Sequence, residues 1–335
     1  MEKTVSRDRS VQTDLLVKMQ KKERFISLLP VIGFVIISVA MIIATKGRIL
    51  SKDSLSNLVV QIFTITLVGV GAVFVYAHGG MDFSIGSTSG LAQFVCAYMI
   101  VRLGCPIWLG ILGAILIGVF FCGITGSIAI TLNVHPFVGS LCVKTAVAGL
   151  LAVFAESLGG QISMDYSRFA VFNSVWMRMI VLIVMVGLGF YLFEFTKLGK
   201  IQKAIGGNGN TVQQAGINVG KYKLIAYLIL GACTGIAAFF QLSRLGQVSS
   251  SSGSGLEFNM MIAMVLGGFP MSGGAFAKFR QFILGGITIT ILSSGLIMCG
   301  LDVSLVAGVK GFIMLLIVAL TYDRSIMKQV TMISF

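Results

Sequence analysis

Ten apolar runs divide the chain, at approximately residues 26–45, 56–77, 86–102, 106–131, 137–155, 173–195, 224–243, 256–268, 279–299 and 303–321. Each is close to the roughly 20 apolar residues that a helix needs to cross a bilayer, and none alternates as a strand would. The pattern therefore predicts an all-α, polytopic transmembrane bundle of about ten spans. The third and eighth runs are short or glycine-interrupted, as expected of broken helices that open irregular backbone inside a bundle.

Composition narrows the class further. The 335 residues are 56% hydrophobic and 11% charged, against roughly 45–50% and 25% in soluble domains. Forty-one glycines beside four prolines suit helices packed through small residues, the expected means of close contact where the hydrophobic force between helices is absent. Six cysteines (Cys96, Cys105, Cys122, Cys142, Cys233, Cys299) lie in or at the ends of apolar runs without a CxxC, which suggests buried small side chains rather than disulfides or zinc. The charged N-terminus is too long for an ordinary cleaved signal, so the first run reads as a retained helix.

The net charge of +13 is spread in a way that speaks for membrane topology rather than nucleic acid. Lys3, Arg7, Arg9, Lys18, Lys21, Lys22 and Arg24 precede the first run, and Lys197, Lys200, Lys203, Lys221 and Lys223 follow the sixth with no acid among them. Both blocks face the cytoplasm if both termini do. Lys46, Arg48 and Lys52 in the first external loop oppose the rule. The expected organisation is a cytoplasmic segment 1–24, a transmembrane domain 25–322 with a cytoplasmic loop at 196–223, and a cytoplasmic tail 323–335.

Within that loop, Asn210 and Thr211 can cap a short helix, with Gln214 completing a capping box and Gly216 ending it. A brief helix on an acid-free loop is a docking surface; a solvated connector is the plain alternative. The external stretch Gln247 to Gly255, QVSSSSGSG, reads as a flexible linker.

Three stretches carry a resemblance. GGMDFSIGS (Gly79 to Ser87), GKIQKAIGGNGNTVQQAGINV (Gly199 to Val219) and GLEFNMMIAMVLGGFPMSGG (Gly255 to Gly274) look in order like the signatures of permease subunits of bacterial ribose, galactose and xylose importers, in the branched-chain amino acid and sugar permease superfamily. The resemblance implies a permease of an ATP-binding-cassette importer in the bacterial inner membrane. It implies as partners a second permease subunit, cytoplasmic ATPase subunits that bind the ATP, and an external solute-binding protein. No cofactor is expected on the chain itself, and no G-x-x-x-x-G-K-[ST] phosphate loop occurs in it. Departures are visible: Asn259 stands where the family usually has an acid, Phe269 and Pro270 replace small or polar residues, Ala277, Lys278 and Phe279 interrupt a glycine-rich region, and Lys144 replaces an apolar or small residue.

Gly206, Gly207, Asn208, Thr211, Gln214, Ala215, Gly216 and Ile217 are the expected ATPase-coupling surface, largely on the resemblance. Gly79, Gly80, Asp82, Ser84 and Gly86, with Gly267, Gly268, Gly273 and Gly274, are expected to be structural or gating; Asp82 capping the next helix is at least as good a reading as solute contact. The two glycine segments are conjectured counterparts in an internal inverted repeat. Gln61, Gln93, Asn133, Lys144, Asn259 and Ser293 are the candidate path lining. Lys144 and Lys310 are the charges nearest mid-helix, which are costly in a bilayer and functional by default, and no equally central carboxylate is available to pair with them; either lines a hydrated route or snorkels to an interface after a helix shift of about a turn, the two readings standing level for Lys144 and the structural one favoured for Lys310. Gly231 and Gly235 form a GxxxG suited to helix packing. His78 and His135 lack ligand or triad spacing, so no active site or metal site is expected. The competing readings are a self-contained secondary transporter, and a permease for a nucleoside or branched-chain amino acid.

Overall fold

The computed structural model describes residue 28, residues 30–165 and residues 169–321. The whole basic N-terminal segment 1–24 and the whole tail from 323 lie outside the described residues. Helices account for most of what is described, in the order α1 (Pro30–Ala44), α2 (Lys52–Ala77), α3 (Ile85–Val101), α4 (Ile107–Thr131), α5 (Pro136–Ser157), α6 (Ala170–Asn173), α7 (Val175–Phe190), α8 (Lys197–Gln214), α9 (Val219–Leu245), α10 (Leu256–Leu266), α11 (Phe279–Met298) and α12 (Val303–Thr321). A five-residue π-turn, Tyr191–Phe195, prolongs α7. The bundle is all-α and polytopic.

Every predicted apolar run appears as a helix, and the helices differ in length. By length and composition six segments can cross a membrane: α2, α4, α5, Val175–Phe195, α9 and α11. The apolar stretches Pro30–Ala44, Ile85–Val101, Leu256–Leu266 and Ser304–Leu316 are shorter.

Local chemistry explains the helix limits. The Ser51 hydroxyl accepts from the Ser54 amide to start α2, and Gly79 in the left-handed region (φ +79°) stops the chain beyond it. Asn218 Oδ1 accepts from the Lys221 amide, 2.9 Å, to start α9.

The helices α2 and α9 form the interior. In their most apolar windows 78% and 61% of residues are buried, against 11% for Val175–Phe195 on the periphery. A helix enclosed on all sides carries apolar residues all round, as α2 does from Phe63 to Ala77. Across α9 the GxxxG pair meets α4 backbone to backbone: a Cβ on Gly231 would collide with the Gly118 carbonyl, and one on Gly235 would lie 2.5 Å from the Ala114 carbonyl oxygen.

Two irregular segments overturn expectations. The serine-rich stretch is no loose linker: Gln247–Ser249 (β2) pairs antiparallel with Gln161–Ser163 (β1), and the following turn presses into the bundle. A Cβ on Gly90 would collide with the Ser252 carbonyl, and one on Gly86 would meet the Gly253 carbonyl oxygen at 2.8 Å. Serine and glycine occur there because only small side chains let two backbones approach so closely.

The predicted short helix in the 196–223 loop is the second half of α8, and its cap is Asn208 rather than Asn210 or Thr211. Asn208 leaves helical geometry (φ −159°, ψ 100°), and its Oδ1 accepts from the amides of Asn210 and Thr211 at 3.1 and 3.2 Å. Asn208 leaves the helix and re-caps it, so α8 is a kinked arm.

Candidate translocation path and coupling arm

Two short helices begin inside the bundle and face one another. Before α3, Asp82 Oδ1 accepts from the Ser84 amide at 2.7 Å and from the Ser84 hydroxyl at 2.6 Å. The Ser84 hydroxyl also lies 3.1 Å from that of Thr125 on α4. Before α10, Gly255 takes the left-handed conformation (φ +81°) that turns the chain into the helix. The two starts touch through Gly86, where a Cβ would collide with the Glu257 carboxylate.

Around the first turn of α10 the structure assembles charges that the sequence left apart. Lys144 on α5 has a carboxylate partner after all: its Nζ lies 2.6 Å from Glu257 Oε1 and 5.1 Å from the centre of the Phe258 ring. Glu257 is 3% exposed and Lys144 26%. The carboxylate looks terminal in sequence, at the start of a run. It becomes central because the chain enters α10 from within the bundle. Lys310 on α12 donates to Asn259 Oδ1 at 2.9 Å. One helical turn thus receives both intramembrane lysines.

The other proposed path residues are dispersed. Gln93 is buried and donates to Ser89 and to Gln241 Oε1, each at 3.4 Å. Gln61 Oε1 accepts from Ser294 at 3.1 Å, and Ser293 turns back to the Ile289 carbonyl at 2.7 Å, the usual fate of a lone helical serine. Asn133 sits exposed between α4 and α5 with φ +49°, apart from the others. Lys144 and Asn259 alone of the six are gathered on α10.

The glycine segments after α2 and α10 pack on each other. A Cβ on Gly79 would meet the Ser272 carbonyl oxygen at 2.9 Å, and one on Gly273 would collide with the Ala77 carbonyl. The Gly274 amide donates to that same carbonyl at 2.9 Å. A Cβ on Gly267 would collide with the Gln281 carbonyl of α11, whereas one on Gly268 would meet only the Pro30 ring. Beside Gly80, His78 is buried; burial first, and then Lys223, push its imidazole down to about 3, so it stays neutral.

Of the expected coupling residues, Gly206, Gly207, Asn208, Thr211 and Gln214 lie on α8 and Ala215, Gly216 and Ile217 just after it; the first half of α8 is anchored to this region. A Cβ on Gly199 would collide with the Phe193 carbonyl and one on Gly206 with the Ala77 carbonyl. Gln202 donates to the Tyr222 carbonyl at 2.6 Å. Sequence reading missed Glu194, which joins three elements: one oxygen pairs with Lys203 of α8 at 2.5 Å and the other accepts from the Phe279 amide opening α11 at 3.0 Å. Only its place just before the basic loop hinted at a partner there. At and after the kink, Gly207, Asn208, Thr211, Gln214, Ala215 and Gly216 are exposed, and Asn210, Gln213 and Gln214 line a shallow hollow.

The ion pair gives an asymmetric prediction. Lys144→Met strands a fully buried carboxylate and is expected to cost about 3–5 kcal/mol. Glu257→Gln leaves a lysine that can turn outward and should cost clearly less. The double variant should recover most of the Lys144→Met loss. Heat or detergent unfolding of the purified variants measures all three; a double variant no more stable than Lys144→Met would refute the pairing.

Comparison with known proteins follows the same segment of chain. The family described as "Branched-chain amino acid transport system / permease component" matches residues 54–318. The ribose import permease protein of Haemophilus influenzae is 28% identical over 274 residues, covering 78% of this chain and 82% of that protein. The ribose import permease protein of Bacillus subtilis is 27% identical over 325 residues, 94% of this chain and all of that protein. The D-allose transport system permease protein of Escherichia coli is 26% identical over 298 residues, 86% and 90% respectively. No solved structure matches the chain.

Proposed function

Because the chain belongs to the family of permease components of branched-chain amino acid transport systems, it is a membrane permease subunit of an ATP-binding-cassette importer, and we propose that its solute is a sugar or similarly small polar molecule. The observation that carries this reading is the family match over residues 54–318, joined to relatives whose own solutes are ribose and D-allose. The chain is a transporter subunit rather than an enzyme, and it is a multi-pass inner-membrane protein.

In our reading the ten apolar helices form domain 25–322 with both termini cytoplasmic, the four shorter ones completing the bundle with broken or tilted segments. The arm α8, within loop 196–223, presents Gly207, Asn208, Thr211, Gln214 and Ala215 to a cytoplasmic ATPase. An ATPase can bias the bundle only through contacts that differ between its states, and the kinked arm offers a surface for them. The Gly79–Gly86 and Gly267–Gly274 segments act as structural or gating elements and are counterparts in an internal inverted repeat. A second permease subunit and an external solute-binding protein complete the assembly.

Affinity purification tests the division of labour. The chain alone is expected to hydrolyse no ATP, to co-purify with a separate nucleotide-binding subunit, and to support ATP-driven solute uptake in proteoliposomes only with it. Gradient-driven uptake by the chain alone would instead establish a secondary transporter.

A further inference from the structure

We propose that the first turn of α10, with Lys144 and Lys310 on either side of it, binds the acidic group, a carboxylate or a phosphate, of a small solute in transit. The proposal rests on the permease reading above and narrows its solute class.

Depth comes first. Lys144 lies about 12 Å into α5 and Lys310 about 10 Å into α12 at 1.5 Å per residue, away from either end of helices of 22 and 19 residues. Both reach the same turn of α10, whose own start is interior.

Among the described residues the charges there do not balance. Lys144 and Lys310 bring two positive charges and Glu257 one negative. Glu257 is engaged by Lys144, while the hydrogen-bond partner of Lys310 is the neutral amide of Asn259. Asp82, on the other broken helix, is turned to Ser84 and forms no ion pair among the described residues. The amino end of α10 adds further positive potential, and no side chain caps it. An unbalanced cation at this depth is unfavourable, and an arriving anion would offset it.

The site is also open. Successive helical residues point about 100° apart, so Glu257 and Asn259 diverge to opposite sides with Phe258 between them. Phe258 is 52% exposed, and Lys144 beside it is partly exposed. A face carrying an ammonium group cannot lie against hydrocarbon, so it meets water or protein. A second copy of this chain, related by a two-fold axis, would bring the same excess of positive charge and leave the imbalance in place. A neutral sugar would fill the space without correcting the charge.

The test is calorimetric binding to the permease–ATPase complex in nanodiscs, with gluconate, glucose 6-phosphate, glucose and inorganic phosphate as probes. At least one of the two acidic sugars should bind about tenfold or more tightly than glucose and than phosphate. Asn259→Asp, nearly isosteric, hands Lys310 an internal carboxylate and should erase that preference, as should Lys310→Gln; size-exclusion profiles confirm that both variants fold. Glucose binding as well as both acids, a preference that survives Asn259→Asp, or phosphate alone matching the sugar acids would each overturn the proposal. ATP-driven uptake of a neutral sugar by the same complex, with no acid preference, would sink this inference while leaving the permease assignment intact.

Discussion

Replacing Gly231 with leucine is expected to abolish recovery of folded protein. At this crossing the obstacle is main chain: an added Cβ would press on the Gly118 carbonyl and come within 2.7 Å of the Val119 Cα. A side chain can rotate away from an intruder, whereas two helix backbones can only separate. Separation here pulls α4 off α9, and α9 is one of the two interior helices. Filling a packed core typically costs 1–3 kcal/mol, and a backbone collision should reach the exceptional range above about 4–5 kcal/mol, a large share of the stability of an ordinary domain. Gly149→Leu on α5 and Gly187→Leu on α7 are the controls, since nothing lies within 4 Å of a Cβ at either position. Monodisperse yield from detergent extracts distinguishes them. The controls should resemble the parent and Gly231→Leu should aggregate; a parental profile for Gly231→Leu would mean that the α4–α9 crossing does not hold the bundle together.

Particular residues show how far the sequence was legible. The apolar runs located every membrane-length helix, because a stretch of some 20 apolar residues has few other places to go. The GxxxG of α9 declared its packing role for the same reason: small residues four apart share one face. Lys144 stood out through its cost at mid-helix, but its partner Glu257 stands 113 positions away at the edge of a run. Nothing local says that the chain enters that run from inside the bundle. The serine and glycine stretch at 247–255 was misread because composition reports side-chain bulk, and small residues serve flexibility and tight backbone contact equally well. In α8 the capping residue was placed two or three positions late, since Asn210, Thr211 and Asn208 are all competent caps and only the kink chooses among them.

Gly207→Trp is expected to reduce ATP-driven uptake by about tenfold or more while leaving the bundle folded and ATP hydrolysis largely intact. The argument comes from two neighbouring glycines with opposite surroundings. An added Cβ at Gly206 would collide with the Ala77 carbonyl and lie 2.5 Å from the Gly274 amide nitrogen, so that position belongs to the interior face of α8. Gly207 points away, with nothing within 4 Å, at the entrance to the kink that Asn208 creates. A side chain starting there projects off the arm into open space, where a tryptophan can obstruct a partner. On the proposed reading, the anchored half of α8 would transmit what that partner does through its contacts: Gln202 to the start of α9, and Lys203 with Glu194 to the start of α11. Coupling therefore needs the outer half of the arm to be gripped and the inner half to stay attached, and the two glycines probe the two requirements separately. Gly206→Trp should lose folded protein, whereas Gly207→Trp should keep it and lose transport. Size-exclusion profiles, ATPase rates and uptake by the reconstituted complex read the three quantities independently. Uptake unchanged in Gly207→Trp would remove the exposed face of α8 from the transport mechanism, because a bulky ring beside the kink could not then stand in the way of any partner.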